Sequence, residues 1–297
     1  MVESICIGTP VLAYPMNGIS KEISKNFVKN EVVCITGAGG SIGTELCRQI
    51  IELEPQKLIL IEVSEHSLWK LEKQIHSLIL DNVIIKPVLA NLNDVKLIKN
   101  ILIDEKVGII FHAAAYKHVP LVELNPFEGI RNNSFTTYAL CNACKSSYVK
   151  NFVLISTDKA VRPTNLMGAS KRLSEIILQY FHSRNEKNIF NKKIIFSAVR
   201  FGNVLGSSGS VVPIFKEQIQ KGGPITLTHK EITRFFMTTS EAVDLVIQSV
   251  VLARGGEVFL LDMGEPVPII NLARLMIINS GLTIKDKNNL EGDIEIV

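Results

Sequence analysis

Short apolar runs recur along the chain, and between them apolar residues return at helical spacing. Val32–Thr36, Leu58–Glu62, Val83–Val88, Gly108–His112 and Phe152–Ser156 are rich in Ile and Val, the pattern of strands buried on both faces of a parallel sheet. The intervening segments Ile42–Leu53, Glu65–Leu80, Asp94–Ile103 and a long one from about Phe127 to Tyr148 predict helices. A helix over Ala169–His182 and a strand over Ile194–Val199 continue the series. A looser Gly/Pro-containing stretch runs from about Gly202 to Arg234, after which Glu241–Leu252, Val258–Asp262 and Ile269–Ser280 alternate again. Alternating β and α elements imply right-handed crossovers, so the expected class is α/β with a Rossmann-like, doubly wound parallel sheet. Residues 1–30 carry Pro10 and Pro15 without a clear period and read as a lead-in segment.

Composition narrows the picture. The 297 residues are 46% apolar, enough for one large domain or two small ones. The net charge is only +3, on 32 basic and 29 acidic residues, which gives no reason to expect a nucleic-acid partner. Mean hydropathy is +0.24, yet no 18-residue apolar run exists to span a bilayer, so no membrane contact is expected of this chain. Of five cysteines, Cys6, Cys34 and Cys47 are isolated, while Cys141 and Cys144 form a C-x-x-C inside a helical pattern with no second pair. These are expected to be buried helix thiols of a reducing compartment rather than a metal or redox site. The six histidines show no metal-ligand spacing. The N-terminus, MVESICIGTP, lacks the basic and apolar regions of a secretory signal, and the chain is expected in the cytoplasm.

The first strand runs into Thr36-Gly37-Ala38-Gly39-Gly40-Ser41-Ile42-Gly43 and then a helix. Gly37 permits a tight turn, Gly40 lets the backbone approach a pyrophosphate, and Gly43 lets the helix pack closely on the strand. The helix start, with Ser41 and Ile42, offers amides and a partial positive charge to phosphates. Glycines in that spacing between a strand and a helix point to a dinucleotide site. Glu62, at the end of the second strand, is placed for ribose hydroxyls and would repel a 2′-phosphate, which favours NAD over NADP; it could instead be an ordinary strand-end charge. Asn91, with Leu92 after the third strand, is expected to meet the adenine amino group through its side-chain oxygen. On this reading residues 31–200 form the NAD-binding domain. Residues 201–297 form a small C-terminal substrate-binding part interleaved with the sheet.

Three further segments fall at strand carboxyl ends, where ligands bind in open α/β sheets. They are Phe111-His112-Ala113-Ala114-Ala115-Tyr116-Lys117-His118, then Ile155-Ser156-Thr157-Asp158-Lys159-Ala160, then Met167-Gly168-Ala169-Ser170-Lys171. Met167 and Lys171 are four apart and share a helix face. Adjacent Asp158 and Lys159 offer an acid and a base of distinct pKa, or else a solvated pair in a loop.

The stretches AAAYKHVPLVE, EGIRNN, LISTDKAVRPTNLMGASKR, VRFGNVLGSSGSVVPIFKEQI, RFFMTTSEAVDLV and LDMGEP together resemble the extended short-chain dehydrogenase/reductases. Within these the chain resembles the nucleotide-sugar 4,6-dehydratases of polysaccharide and glycan biosynthesis, over about residues 31–297. It is similar in particular to the long, membrane-anchored subfamily with Met in place of the Tyr of Y-x-x-x-K. That resemblance implies an NAD-dependent lyase acting on a UDP-sugar, with UDP-N-acetylglucosamine as the usual substrate. It implies Asp158 as acid, Lys159 as base, Thr157 near the C4 oxygen, and Lys171 on the nicotinamide ribose. It further implies Ala113 and Ala114 along the cofactor, and Lys117, His118, Asn203 and Arg234 toward the sugar nucleotide. Met167 cannot take a proton, so it is expected to shape the pocket. A homodimer through the helices at Tyr138–Tyr148 and after Met167 is also implied.

Two departures accompany the resemblance. The subfamily has transmembrane helices and a regulatory domain upstream, and it continues past the segment matching GDIEIV into a loop bearing R-P-G-E-K. The expectation is weakened substrate binding, with a UDP-sugar 4-epimerase or a non-catalytic NAD-binding remnant as the other readings.

Overall fold

The computed structural model describes residues 11–13, 21–78, 82–207, 210–229, 231–287 and 289–297. The chain divides into two compact units, Met1–Phe201 with Val243–Asp262, and Gly202–Ala242 with Met263–Val297.

The larger unit holds strands β1 (Val11–Ala13), β2 (Val32–Thr36), β3 (Lys57–Glu62), β4 (Ile84–Leu89), β5 (Ile109–His112), β6 (Asn151–Ile155) and β7 (Ile195–Arg200). With β11 (Val258–Leu260) they make one parallel eight-stranded sheet in the order β1-β11-β7-β6-β5-β2-β3-β4. The central strands are buried throughout, as their unbroken apolar runs require. Edge strand β4 is exposed or half-buried, and Lys86 and Pro87 blunt it against further pairing. Strand β1 and helix α1 (Lys21–Val28) fall within the segment read as a lead-in; three residues are too few to carry a detectable period.

Helices α2 (Ser41–Ile51), α3 (Glu65–Ile75) and α4 (Val95–Asp104) follow β2, β3 and β4. The predicted helix over Glu65–Leu80 ends in a 3₁₀ turn at His76–Leu78, and residues 79 and 80 lie outside the described residues. The order reverses between β2 and β5, since the chain steps outward through β3 and β4 and then returns to β5. Loops at that reversal line the ligand crevice of such sheets.

The single helix expected from Phe127 to Tyr148 is instead three pieces. After α5 (Val119–Leu124) come α6 (Pro126–Ile130), a π turn over Arg131–Phe135, and α7 (Thr136–Cys144). Apolar spacing alone does not reveal such a turn, because its extra residue turns polar Asn133 and Ser134 inward. Cys141 and Cys144 are buried in α7, and burial pushes both thiols well above their ordinary range. Helix α8 (Leu166–Ser183) packs alongside.

The smaller unit contains the parallel pair β8 (Asn203–Val204) and β10 (Phe236–Met237) and the antiparallel pair β9 (Thr233–Arg234) and β12 (Val267–Pro268). Helix α9 (Val211–Gln220) lies in the stretch read as loose. Its Pro213 falls in the first turn, where a missing N–H costs nothing. Phe215, Ile219 and Ile225 pack with Ile269, Ala273 and Ile277 of α11 (Ile269–Asn279) and with Ile294 of β14 (Ile294–Glu295), which pairs with β13 (Ile284–Lys285). Helix α10 (Thr239–Leu252) begins in this unit and ends in the larger one. Among the described residues no helix is long and apolar enough to cross a membrane.

Candidate active site

The glycine loop leaves β2 at Gly37, where φ is +67° and a Cβ would stand 2.6 Å from the Ala114 Cα after β5. Only glycine meets both conditions. The Gly37 and Ala38 amides donate to the Ile61 carbonyl at 2.9 and 3.2 Å, tying the loop to β3. Gly40 is the N-cap of α2 and supplies no side-chain acceptor to the helix's first turn. A Cβ on Gly43 would overlap the Gly37 carbonyl oxygen and the Ala38 backbone. Ser41 and Ile42 open α2, and Ala113 and Ala114 are partly buried beside the turn.

Glu62 is buried, and its carboxylate organises this corner. Oε2 accepts from the Gly39 amide at 3.0 Å, and Oε1 accepts from the Val63 and Ser64 amides at 2.9 and 3.0 Å. Asn91 is exposed, and its Oδ1 accepts from both the main chain and the side chain of Asn93 at 2.9 and 3.1 Å. These bonds close a turn at Asn91, the residue expected to meet adenine. Leu92, next to it, is buried.

The second cluster begins where β6 ends. The ladder to β7 continues past the strand, with Ser156 N donating to Val199 O at 2.7 Å and Asp158 N to Phe201 O at 3.0 Å. Thr157 caps a 3₁₀ turn over Asp158–Ala160 and donates its hydroxyl to Asp158 Oδ1 at 2.9 Å. Lys159 Nζ donates to the same oxygen at 3.1 Å. All three side chains are half-buried. Helix α8 starts at the Asn165 cap, and a Cβ on its Gly168 would overlap the Lys159 carbonyl oxygen, so this glycine permits the turn and the helix to touch. Met167 and Lys171 are buried one turn apart on α8. Burial pushes the Lys171 ammonium down to about 8, partly opposed by Glu175.

The π turn supports this cluster from the other side. Asn133 clamps the loop after β5: its Oδ1 accepts from Tyr116 N at 2.8 Å, and its Nδ2 donates to Tyr116 O at 3.0 Å and to Ser170 Oγ at 2.9 Å. Ser134 and Ser174 add bonds to Ser170 O and Asn133 O, both 2.8 Å. Lys117 and His118, next to the clamped Tyr116, are exposed, and partial desolvation lowers the Lys117 ammonium. Fully buried His112 bridges Thr36 and Thr137, with Nδ1 2.7 Å and Nε2 3.1 Å from their hydroxyls. The Thr137 hydroxyl donates to Asn133 O, so it accepts from Nε2–H and leaves Nδ1 to accept from Thr36. Burial pushes this imidazole down to about 3, with Lys171 adding to the effect. Asn133 was visible in EGIRNN, but nothing in the sequence marked it as the turn that holds Tyr116.

In the smaller unit, Asn203 pairs in register with Phe236, two residues after Arg234. Arg234 is exposed and donates from Nη1 to Thr233 O at 2.8 Å. Among the described residues no group of three or more His, Cys, Asp or Glu is arranged to hold a metal ion.

Residues 33–297 match the family model described as polysaccharide biosynthesis protein. The chain belongs to this family. It is 46% identical over 280 residues to the capsular polysaccharide biosynthesis protein CapD of Staphylococcus aureus, covering 94% of this chain and 45% of that protein. It is 34% identical to an inverting UDP-N-acetylglucosamine 4,6-dehydratase of Campylobacter jejuni, covering 82% and 70%. A UDP-glucose 4-epimerase of Rickettsia canadensis is 31% identical, with coverage of 77% and 65%. The chain therefore spans under half the length of CapD. The solved structure of Pen from Bacillus thuringiensis is 30% identical with TM-score 0.80, covering 91% of this chain and 79% of that one. The fold is shared with Bordetella bronchiseptica WbmF, solved with NAD+, at 20% identity and TM-score 0.71, covering 90% and 82%. These likenesses give the chain a Rossmann-like fold within the polysaccharide biosynthesis protein family.

Proposed function

We propose that this chain binds NAD and dehydrates a UDP-sugar, UDP-N-acetylglucosamine first among them, to the UDP-4-keto-6-deoxy sugar. One observation carries the reading: a hydroxyl, a carboxylate and an amine joined by hydrogen bonds at Thr157, Asp158 and Lys159, and packed on the helix of Met167 and Lys171. The cofactor fits the residues present. The uncapped start of α2 suits its diphosphate, Glu62 suits a ribose, and Gly37 is packed too closely on Ala114 to carry a side chain. Bound NAD supplies reversible hydride acceptance, from C4 and back to C6.

The chain's own groups then handle protons. Met167 has no proton-accepting atom. Thr157 accepts the C4 hydroxyl proton while passing its own to Asp158 Oδ1, 2.9 Å away. The new 4-keto group acidifies C5, and Lys159 as the neutral amine takes that proton. Asp158, loaded in the first step, protonates the departing C6 hydroxyl, which leaves as water. Lys159 returns its proton to C5. Both groups finish as they began, and the sugar has lost one water. Asn203 and Arg234 serve the nucleotide diphosphate, for which an arginine fork is suited.

The test is incubation of purified protein with UDP-N-acetylglucosamine and mass analysis of the sugar nucleotide. Loss of water without net reduction of NAD is expected. An unchanged mass with a new C4 epimer would replace dehydration by epimerisation, a reaction with no use for an acid at C6; no change at all would leave an NAD-binding remnant.

A homodimer belongs to the same proposal. Tyr138 on α7 and Leu173, Ile176 and Tyr180 on α8 are exposed apolar residues that a helix–helix interface would cover. Sedimentation showing only monomer at micromolar concentration removes this part.

A further inference from the structure

Glu175 sits one turn beyond Lys171, has no exposed surface, and its carboxylate is filled by four bonds. Oε1 accepts from Ser156 Oγ at 2.6 Å and Arg200 Nε at 2.7 Å; Oε2 accepts from Arg200 Nη2 at 2.6 Å and Arg172 Nη1 at 3.0 Å. We propose that Glu175 is a positioning residue that fixes the turn bearing Asp158 and Lys159 against the helix bearing Met167 and Lys171. The inference rests on the reading of those residues as the reacting groups.

Ser156 immediately precedes Thr157, and the ladder bonds from Ser156 and Asp158 reach Val199 and Phe201 on either side of Arg200. Glu175 therefore grips both strands at the level where the reactive turn leaves the sheet. Gly168, two turns earlier on α8, is the other point of contact, against the Lys159 carbonyl. Two fixed points on one rigid helix set its distance and direction from the turn. A buried ion network adds little stability over an apolar set of similar volume, so its consequence lies in the geometry it imposes. Misplacing reacting groups by about 1 Å costs on the order of 100-fold in rate.

The same carboxylate acts on Lys171, raising its hold on a proton against the desolvation that lowers it. Facing Lys171 are Glu175 on its own helix and neutral His112 on β5. The other charged groups on elements packed against α8 are Arg200 on β7, Asp158 and Lys159 on the turn, Glu123 on α5, Glu128 on α6 and Arg131 in the π turn.

The experiment compares Glu175→Gln, Glu175→Asp and Ser156→Ala by NAD affinity from about pH 6 to 10 and by sugar turnover. Wild-type affinity is expected to fall as pH rises above about 8, when Lys171 loses its proton. In Glu175→Gln that fall begins roughly half a pH unit or more lower, because the opposing charge is gone. Glu175→Asp keeps the charge and shortens the reach. It retains the wild-type pH limit, yet its kcat drops about tenfold or more with little change in KM. Ser156→Ala leaves every charge in place and lowers kcat about tenfold at unchanged NAD affinity. If Glu175→Gln does not purify, the last two variants decide. An unmoved pH limit in Glu175→Gln, or wild-type kcat in both Glu175→Asp and Ser156→Ala, overturns the proposal. A wild-type chain that binds NAD without dehydrating sugar overturns the functional reading instead, and the pH limit still decides the role of Glu175.

Discussion

The glycine loop after β2 and the reactive turn after β6 lie at the same edge of one sheet, yet they are built in opposite ways. In the loop the groups proposed to meet a ligand are backbone amides. What the chain must provide there is the absence of side chains at Gly37, Gly40 and Gly43. In the turn the groups proposed to react are side chains, held by buried polar ones: Glu175, Arg200, Ser156, Asn133 and Ser170. The loop uses steric room and helix polarity at little energetic cost. The turn relies on buried charge, which is costly wherever a partner is missing.

The largest expected effect breaks the turn and spares the loop. Asp158→Asn and Lys159→Ala should each lower dehydration by on the order of 100- to 10,000-fold while NAD affinity stays within about twofold. The two should differ in heavy water. Lys159→Ala still forms the 4-keto sugar slowly but takes up no deuterium at C5. Asp158→Asn blocks the first proton transfer as well, so neither keto sugar nor deuterium uptake appears. Wild-type C5 exchange in Asp158→Asn would mean that the C4 proton goes elsewhere.

A mirrored pair of glycine changes sharpens the contrast. In Gly43→Ala the new methyl meets backbone of the loop itself, so NAD binding should be lost and stability should drop by about 1–3 kcal/mol. In Gly168→Ala the methyl meets the Lys159 carbonyl. Turnover should then fall about tenfold or more with NAD affinity retained. Calorimetric titration and a steady-state assay on both variants decide it; the opposite pattern would show that the two regions do not divide the work as argued.

The same contrast explains what could be read from the sequence. The loop was legible because its requirement is a residue type at a fixed spacing between a strand and a helix, and seven of the sheet's strands were legible as β-branched runs. Strand β1 was too short to show a period, and the π turn hides its extra residue inside a pattern that otherwise looks helical. Asp158, Lys159, Met167 and Lys171 were proposed from the sequence because they sit next to motifs. Glu175 and Arg200 were not, because an ion pair joining residues 25 apart in sequence leaves no local signature. Asn91 shows a different limit: the sequence did not reveal that its oxygen also closes a turn with Asn93.

Lys171 should show a trade of stability for function. Burial lowers its folded pKa from 10.5 to about 8. The unfolded chain therefore binds the proton more tightly, and the folded state gains stability as pH rises from about 8 to 10.5. Below 8 the full cost stands, up to about 3 kcal/mol at pH 7. Lys171→Met should be more stable than wild type at pH 7, by a margin that shrinks toward pH 10, and should lose NAD affinity. Urea unfolding at the two pH values checks this, and a destabilised variant at pH 7 would contradict it.

The smallest effect concerns the residue that joins the two regions. His112 links Thr36, at the end of the loop's strand, to Thr137, one turn after Asn133, and it does so as a neutral ring. Its folded pKa is depressed to about 3 from 6.5. Above 6.5 the ring is neutral in both states and contributes no pH dependence. As pH falls below 6.5 the unfolded chain takes up a proton that the folded ring refuses, so stability declines by about 1.4 kcal/mol per pH unit until about pH 3. The loss has the same sign as that of Lys171, stability falling as pH falls, but it lies in a lower window. His112→Gln keeps a neutral hydrogen-bonding group and removes the titration, at some cost in absolute stability. What identifies His112 is the slope: between pH 6.5 and 5.5 wild type should lose about 1 kcal/mol more than the variant in urea unfolding. Parallel slopes would show that the ring accepts its second proton within the fold, and that the loop and the turn are joined by something other than a neutral imidazole.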